Sequence, residues 1–253
     1  MGLDELMTFV LVLVRVGCIF AFLPILGQGN APRLVKALVV VAVSTVLLPV
    51  VGASASVSAW DPVHFVLFGM AEVLFGCLMG LSANLVFKAL RIAGEMVGQQ
   101  MGMALAHVAD PVTGGDSTLV GTFCELVGLL VFLSVGGHLW MLQALHDSFT
   151  QWPLGAFLAP DFVRRVTVSA ATHSFVMAFQ LASPLLLLTF MVSLTMAIMA
   201  RLVPEMNILI VGFPVRIGVG LVGLTLFVPL LVRYSSEVSR MVVTFISGVA
   251  GGA

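Results

Sequence analysis

Residues 88–115 read KALRIAGEMVGQQMGMALAHVADPVTGG. This is the one long stretch that is neither a plain apolar span nor a plain loop. Gly94, Gly98 and Gly102 recur every four residues, which on a helix puts them on one face as a groove for a second backbone. Among them stand Glu95, Gln99 and Gln100, polar groups that lipid does not tolerate unpaired. Met96, Met101 and Met103 cluster here, and an apolar tract over 104–109 follows. Asp110-Pro111 and Thr113-Gly114-Gly115 then give turn and loop chemistry. The expectation is a helix packed inside a bundle of membrane helices, with a re-entrant loop after it.

Working outward, composition puts the chain in a membrane. Hydrophobic residues make up 60% of 253 and charged ones 9%, where soluble domains carry roughly 25% charged. Mean hydropathy is +1.17. A net charge of -1 with no basic run gives no footing for nucleic acid. Cys18, Cys77 and Cys124 lie in apolar runs without CxxC spacing and read as small buried hydrophobes. Asp4 and Glu5 occupy the place where a signal peptide needs positive charge, so the first segment is expected to be a retained helix.

The fold class expected is all-α and polytopic, with about six long hydrophobic helices, a re-entrant central loop and a C-terminal helical hairpin. The six apolar segments are 6–26, 34–51, 63–87, 119–135, 175–200 and 206–232. Residues 138–149 continue the fourth as an amphipathic piece, 150–173 read as a polar link, and 235–253 as a short amphipathic helix. Segments five and six are joined by residues 201–205 only, which forces an antiparallel hairpin. Arg33, Lys36, Lys88, Arg91 and Arg201 place the N-terminus outside by the positive-inside rule. Arg164, Arg165, Arg233 and Arg240 then fall on the wrong side. That conflict implies either another span count or elements held by partners instead of lipid.

Five charges sit in apolar context: Arg15, Glu72, Glu95, Glu125 and Arg216. Each costs at least about 2.5–3.5 kcal/mol at a bilayer centre unless partnered. They mark an ion pathway, pairing between subunits, or pairing within one bundle. His138 and His146 lie eight residues apart, but no third ligand joins them at metal spacing and HExxH is absent. Gly218, Gly220 and Gly223 match GxGxxG inside an apolar span; without a preceding strand this is a packing face and not a dinucleotide loop. No catalytic motif, cofactor motif or metal motif is found, and no enzyme, cofactor or metal is expected. The competing reading is a stand-alone permease for an ion or small solute using Glu72, Glu95, Glu125 and Arg216; such a protein predicts inverted repeats, and none stands out.

Four blocks carry a family resemblance. They are residues 91–103 with Asp110-Pro111; Gly137-His138-Leu139-Trp140; residues 201–207 (RLVPEMN); and Gly212-Phe213-Pro214. Arg15, Pro24, Pro32 and Lys36 fit as well. Together they resemble the FliR/SctT family of type III export gate membrane proteins, over nearly the whole chain. Virulence-secretion members tend to carry Ile-Asp and Gln-Arg-Gly in the central block. Val97-Gly98 and Gln100-Met101-Gly102 stand here, so the flagellar branch is favoured.

The resemblance implies a structural subunit of the flagellar export gate in the bacterial inner membrane, at the flagellar basal body. One copy would join FliP-like and FliQ-like subunits, and an FlhB-like one, around a pore for unfolded flagellar proteins. Residues 1–165 would correspond to a FliP-like part and 166–253 to a FliQ-like hairpin within a single 1–253 domain. It also implies that the loop after the glycine-rich helix plugs the closed pore. The matching positions are Met101, Met103, Leu105, Val108, Asp110 and Pro111. The family often has Phe where Leu105 and Val108 stand.

Overall fold

A computed structural model of the chain describes residues 3–23, 32–52, 62–103, 118–156, 159–204, 210–226 and 228–229. Regular structure among them is α-helical throughout. In order, α1 is Leu3–Phe22, α2 Arg33–Gly52, α3 Pro62–Gln100, α4 Leu119–Ser134, α5 Gly137–Gln151 and α6 Pro160–Leu202; α7 is Ile210–Leu226. The all-helical membrane class is as expected. Among the described residues three helices are long and apolar enough to cross a membrane, or four if the broken pair α4–α5 is one span.

The differences have local causes. The third segment does not stop at Phe87. α3 runs on through Lys88, Arg91 and Glu95 for 39 residues, because charge alone does not interrupt a backbone ladder. Hydropathy marks where lipid ends, not where a helix ends. The piece after the fourth segment is a helix of its own. Gly136 takes φ 81 at its start, a left-handed conformation open to glycine at little cost. The link expected over 150–173 is much shorter, since α6 begins at Pro160 with Asp161 in its first turn. Proline at the first helical position and an acid beside it are good start signals. Pro24 and the tail over 235–253 lie outside the described residues.

The chain divides into two compact units. The first comprises Met1–Val86, Gly136–Thr172 and Val238–Ala253. Here α1 buries Leu11, Val12, Arg15, Val16 and Ile19, one helical stripe with a cation in it. Gly76 and Gly80 of α3 let α1 approach: a Cβ at Gly76 would stand 2.8 Å from the Arg15 carbonyl oxygen, and one at Gly80 3.0 Å from that of Ile19. A turn further along α3, Asn84 Nδ2 donates to the Phe22 carbonyl, which closes the C-terminal end of α1.

Arg15 and Glu72 are each 1% exposed and form a bidentate pair. The same guanidinium donates through Nη1 to the carbonyls of Ser148, at 3.3 Å, and Trp152, at 3.1 Å. These close the end of α5, where a helix carries partial negative charge. Phe75 and Phe149 cover the cation at 4.6 and 4.4 Å, and the Gly155 N–H donates to Glu72 Oε1 at 3.0 Å. Each guanidinium nitrogen thus has an acceptor, and each carboxylate oxygen a donor, within this unit.

The second unit comprises Phe87–Val135 and His173–Glu237. Its core is Leu90, Ala93, Val97 and Met101 of α3 with Val120, Cys124, Leu181, Leu185 and Leu224. In α6, Pro184 cannot donate to the Gln180 carbonyl; the Ser183 hydroxyl does so at 3.0 Å. Hydroxyls commonly repair proline gaps this way in apolar helices.

Candidate functional site: the end of the third helix

The second unit is built around the crossing of α3 and α4. A Cβ at Gly94 would stand 2.7 Å from the Val120 carbonyl oxygen and 2.8 Å from Gly121 Cα. One at Gly121 would meet Glu95 Cγ at 2.6 Å and the Arg91 carbonyl at 3.1 Å. Glycine faces glycine, so the backbones nearly touch. Gly98 lies one turn on, where Thr118 Oγ1 would be 3.0 Å from a Cβ. Thr118 caps α4, its hydroxyl accepting from the Gly121 N–H at 3.1 Å.

Gly102 differs from the other two glycines of its series. It lies past the end of α3 with φ 85. Its N–H donates to the Gln99 carbonyl at 3.0 Å, and that of Met103 to Gly98 at 3.1 Å. This is the paired 5→2 and 6→1 closure of a Schellman end, with glycine at the left-handed position. Gly102 still packs, but against the Phe213 ring of α7, 2.6 Å from where a Cβ would be. Beside it Met101 is 0% exposed and fills the notch that Gly220 leaves in α7. Met96 and Met103 pack partly buried against the same core.

Of the GxGxxG residues, Gly220 and Gly223 take Met101 and Leu185, while Gly218 faces open space. The motif lies within α7, so it is a packing device as expected.

The polar residues divide clearly. Glu125 is 6% exposed, and its Oε1 accepts from Lys88 Nζ at 3.1 Å. Arg91 Nη1 lies 3.6 Å from Glu125 Oε2, and Arg91 Nε donates to Glu95 at 2.9 Å. Two cations and two carboxylates thus tie α3 to α4. With Arg15–Glu72, four of the five charges singled out in the sequence are paired within this chain. The fifth is Arg216, whose buried Nε has no acceptor among the described residues. Gln99 and Gln100 are exposed. Leu105, Val108, Asp110 and Pro111 lie outside the described residues.

Sequence reasoning passed over Gly121, Gly128 and Thr118, and gave Lys88 and Arg91 no partner. Gly121 and Gly128 stand seven residues apart in α4, two turns on one face, and that periodicity was a usable signal. Nothing in the sequence paired Lys88 with Glu125 across 37 residues.

Comparison with known proteins follows the same blocks. The family of bacterial export proteins, family 1, matches residues 6–241. The flagellar biosynthetic protein FliR of Pectobacterium carotovorum subsp. carotovorum is 34% identical over 166 residues, 66% of this chain but only 64% of that protein. That of Bacillus subtilis (strain 168) is 31% identical over 229 residues, 87% of this chain and 85% of the relative. The Yop proteins translocation protein T of Yersinia pestis is 25% identical over 245 residues, 96% and 94% of the two chains.

Proposed function

Since this chain belongs to the bacterial export proteins, family 1, we propose that it is the flagellar export-gate subunit that completes a pore with FliP-like and FliQ-like proteins. It is a membrane component of the flagellar type III protein export apparatus. The observation that carries this reading is a family match over residues 6–241 with flagellar relatives at 31–34% identity. Its place is the bacterial inner membrane at the flagellar basal body, with one copy per gate and an FlhB-like subunit as neighbour. Residues 1–165 act as a FliP-like part and 166–253 as a FliQ-like hairpin. Its cargo is unfolded flagellar protein; it is a conduit and not a catalyst.

Two features of the fold support this. At 1.5 Å per residue, α3 (39 residues) and α6 (43 residues) measure roughly 58 and 65 Å. A hydrocarbon core is about 30 Å thick, so either helix is long enough to extend well beyond it, as suits a subunit embedded in an assembly. Secondly, Glu72, Glu95 and Glu125 are each paired with a cation of this chain, which suits a structural role for these acids.

The gating part of the reading concerns the segment after α3. Gly102 turns the chain out of the helix, and Met101 and Met103 anchor it against the core. In this reading Leu105 and Val108 seal the pore by an apolar constriction that resists wetting. An incoming polypeptide displaces this segment.

The test is native mass spectrometry of the chain extracted in mild detergent from cells that also make FliP-like and FliQ-like proteins. A mixed complex holding one copy of this chain is expected. A monomer or homodimer indifferent to those proteins would overturn the reading.

A further inference from the structure

Cys18 and Cys77 read in the sequence as separate small hydrophobes, and the fold brings them together. α1 and α3 cross where Gly76 and Gly80 admit the backbone of α1. Cys18 lies in that contact: a Cβ at Gly76 would stand 2.7 Å from Cys18 Cβ. Cys77 is the next residue of α3, and its thiol is a hydrogen-bond partner of the Cys18 thiol. Both belong to the first compact unit. Cys124 makes the contrast, being 2% exposed and packed in the core of the second unit.

Neither thiol of the pair is sealed in. Both cysteines are half-buried, at the margin of the buried stripe that includes Arg15, Val16 and Ile19. Cys18 stands four residues before the end of α1 at Phe22, about 6 Å by helix rise. It is therefore near one end of the apolar span Glu5–Phe22, where apolar solutes from the bilayer and water from its boundary both have access. A disulfide needs its two Cβ atoms about 3.5–4.5 Å apart, and a crossing this close brings side chains of α1 and α3 toward that spacing. The product is neutral, so it suits apolar surroundings.

We propose that Cys18 and Cys77 form an oxidation site at which a membrane-soluble hydroperoxide converts the thiol pair to a disulfide that clamps α1 to α3. One sulfur attacks the peroxide O–O bond and becomes a sulfenic acid while the alcohol leaves. The second thiol then displaces water as the S–S bond forms. Two electrons pass from the sulfurs to the hydroperoxide, and the thiol protons end in the alcohol and the water. The bond closes a loop from residue 18 to residue 77 and so constrains the unfolded chain.

The unsubstituted chain tests this. Membranes holding it are treated with cumene hydroperoxide, the remaining thiols are blocked with N-ethylmaleimide, and the unreduced digest of the single-chain band is read by mass spectrometry. A peptide pair joining Cys18 to Cys77 is expected, about tenfold above any pair that includes Cys124. Absence of the 18–77 pair, or joining to Cys124 in similar yield, overturns the proposal. Thermal unfolding gives a second readout. Oxidation should raise the midpoint by several degrees, reversibly with dithiothreitol, and leave Cys77→Ser unmoved. An unchanged or lowered midpoint in chains shown to be joined, or an equal rise in Cys77→Ser, overturns the clamp. Neither readout depends on the function proposed above.

Discussion

At the scale of single residues, two kinds of position control this chain: glycines where backbones touch, and charges that must be answered in an apolar interior. A Cβ at Gly94 would meet two backbone atoms of α4, at Val120 and Gly121, and backbone cannot step aside as a side chain can. Gly94→Ala should therefore force α3 and α4 apart and destabilise by about 1–3 kcal/mol or more. Gly218 has nothing within 4 Å, so Gly218→Ala should be neutral or stabilise by about 0.5–1 kcal/mol through helix propensity alone. Thermal unfolding of the purified protein followed by size-exclusion fluorescence separates the two; equal effects would refute this account of the glycines.

The pair Arg15–Glu72 makes a second residue-scale claim. Arg15→Leu leaves Glu72 buried beside Gly155 with no cation, at a cost of about 3–5 kcal/mol. The double variant Arg15→Leu with Glu72→Leu should recover most of that loss, since desolvation of both ions disappears together. The same unfolding assay reads it, and a double variant as unstable as the single would mean that the carbonyls of Ser148 and Trp152 matter more than the carboxylate.

At the scale of elements, the helices were more continuous than hydropathy suggested. α6 carries a proline in its interior without ending, because Ser183 supplies the donor that Pro184 lacks. Ser183→Ala should then cost about 1 kcal/mol with Pro184 present and close to nothing in a Pro184→Ala background, where the ladder N–H returns. A double-mutant cycle on thermal stability checks this; additive effects would show that the hydroxyl does not serve the gap. Start and end signals were present where they were chemical, although the sequence reading placed Pro160 and Asp161 in a link and Gly102 on a packing face. In the structure Pro160 with Asp161 opens α6, and Gly102 closes α3. They failed where polarity stood in for chemistry, as at Lys88, which lies mid-helix because its charge is met sideways by Glu125.

At the scale of the whole molecule, the export reading makes the segment beyond α3 a seal instead of a structural strut. Replacing residues 103–108 with Gly and Ser should leave assembly intact and make cells permeable to small ions. Conductance measured in a planar bilayer with the purified complex is expected to rise, and an unchanged conductance with a complete complex would eliminate the plug. The removal of hydrophobic side chains loosens a dewetted constriction without touching the crossing at Gly94 and Gly121, which is why assembly should survive.

The sequence by itself settled the solvent, the helical class and the family. Charge content, apolar run length and spaced motifs are local properties, and a bilayer imposes its constraints on each segment separately. It also singled out Gly94, Gly98, Arg15, Glu72 and Glu125 as needing company, since a bare groove or an unpaired charge is costly wherever it lies. Tertiary structure alone decided what that company was. Arg15 finds Glu72 from 57 residues away together with the end of α5, Gly94 finds Gly121, and Met101 finds the notch at Gly220. Those choices depend on which helix faces meet, and a packing partner leaves no mark in the residue that awaits it.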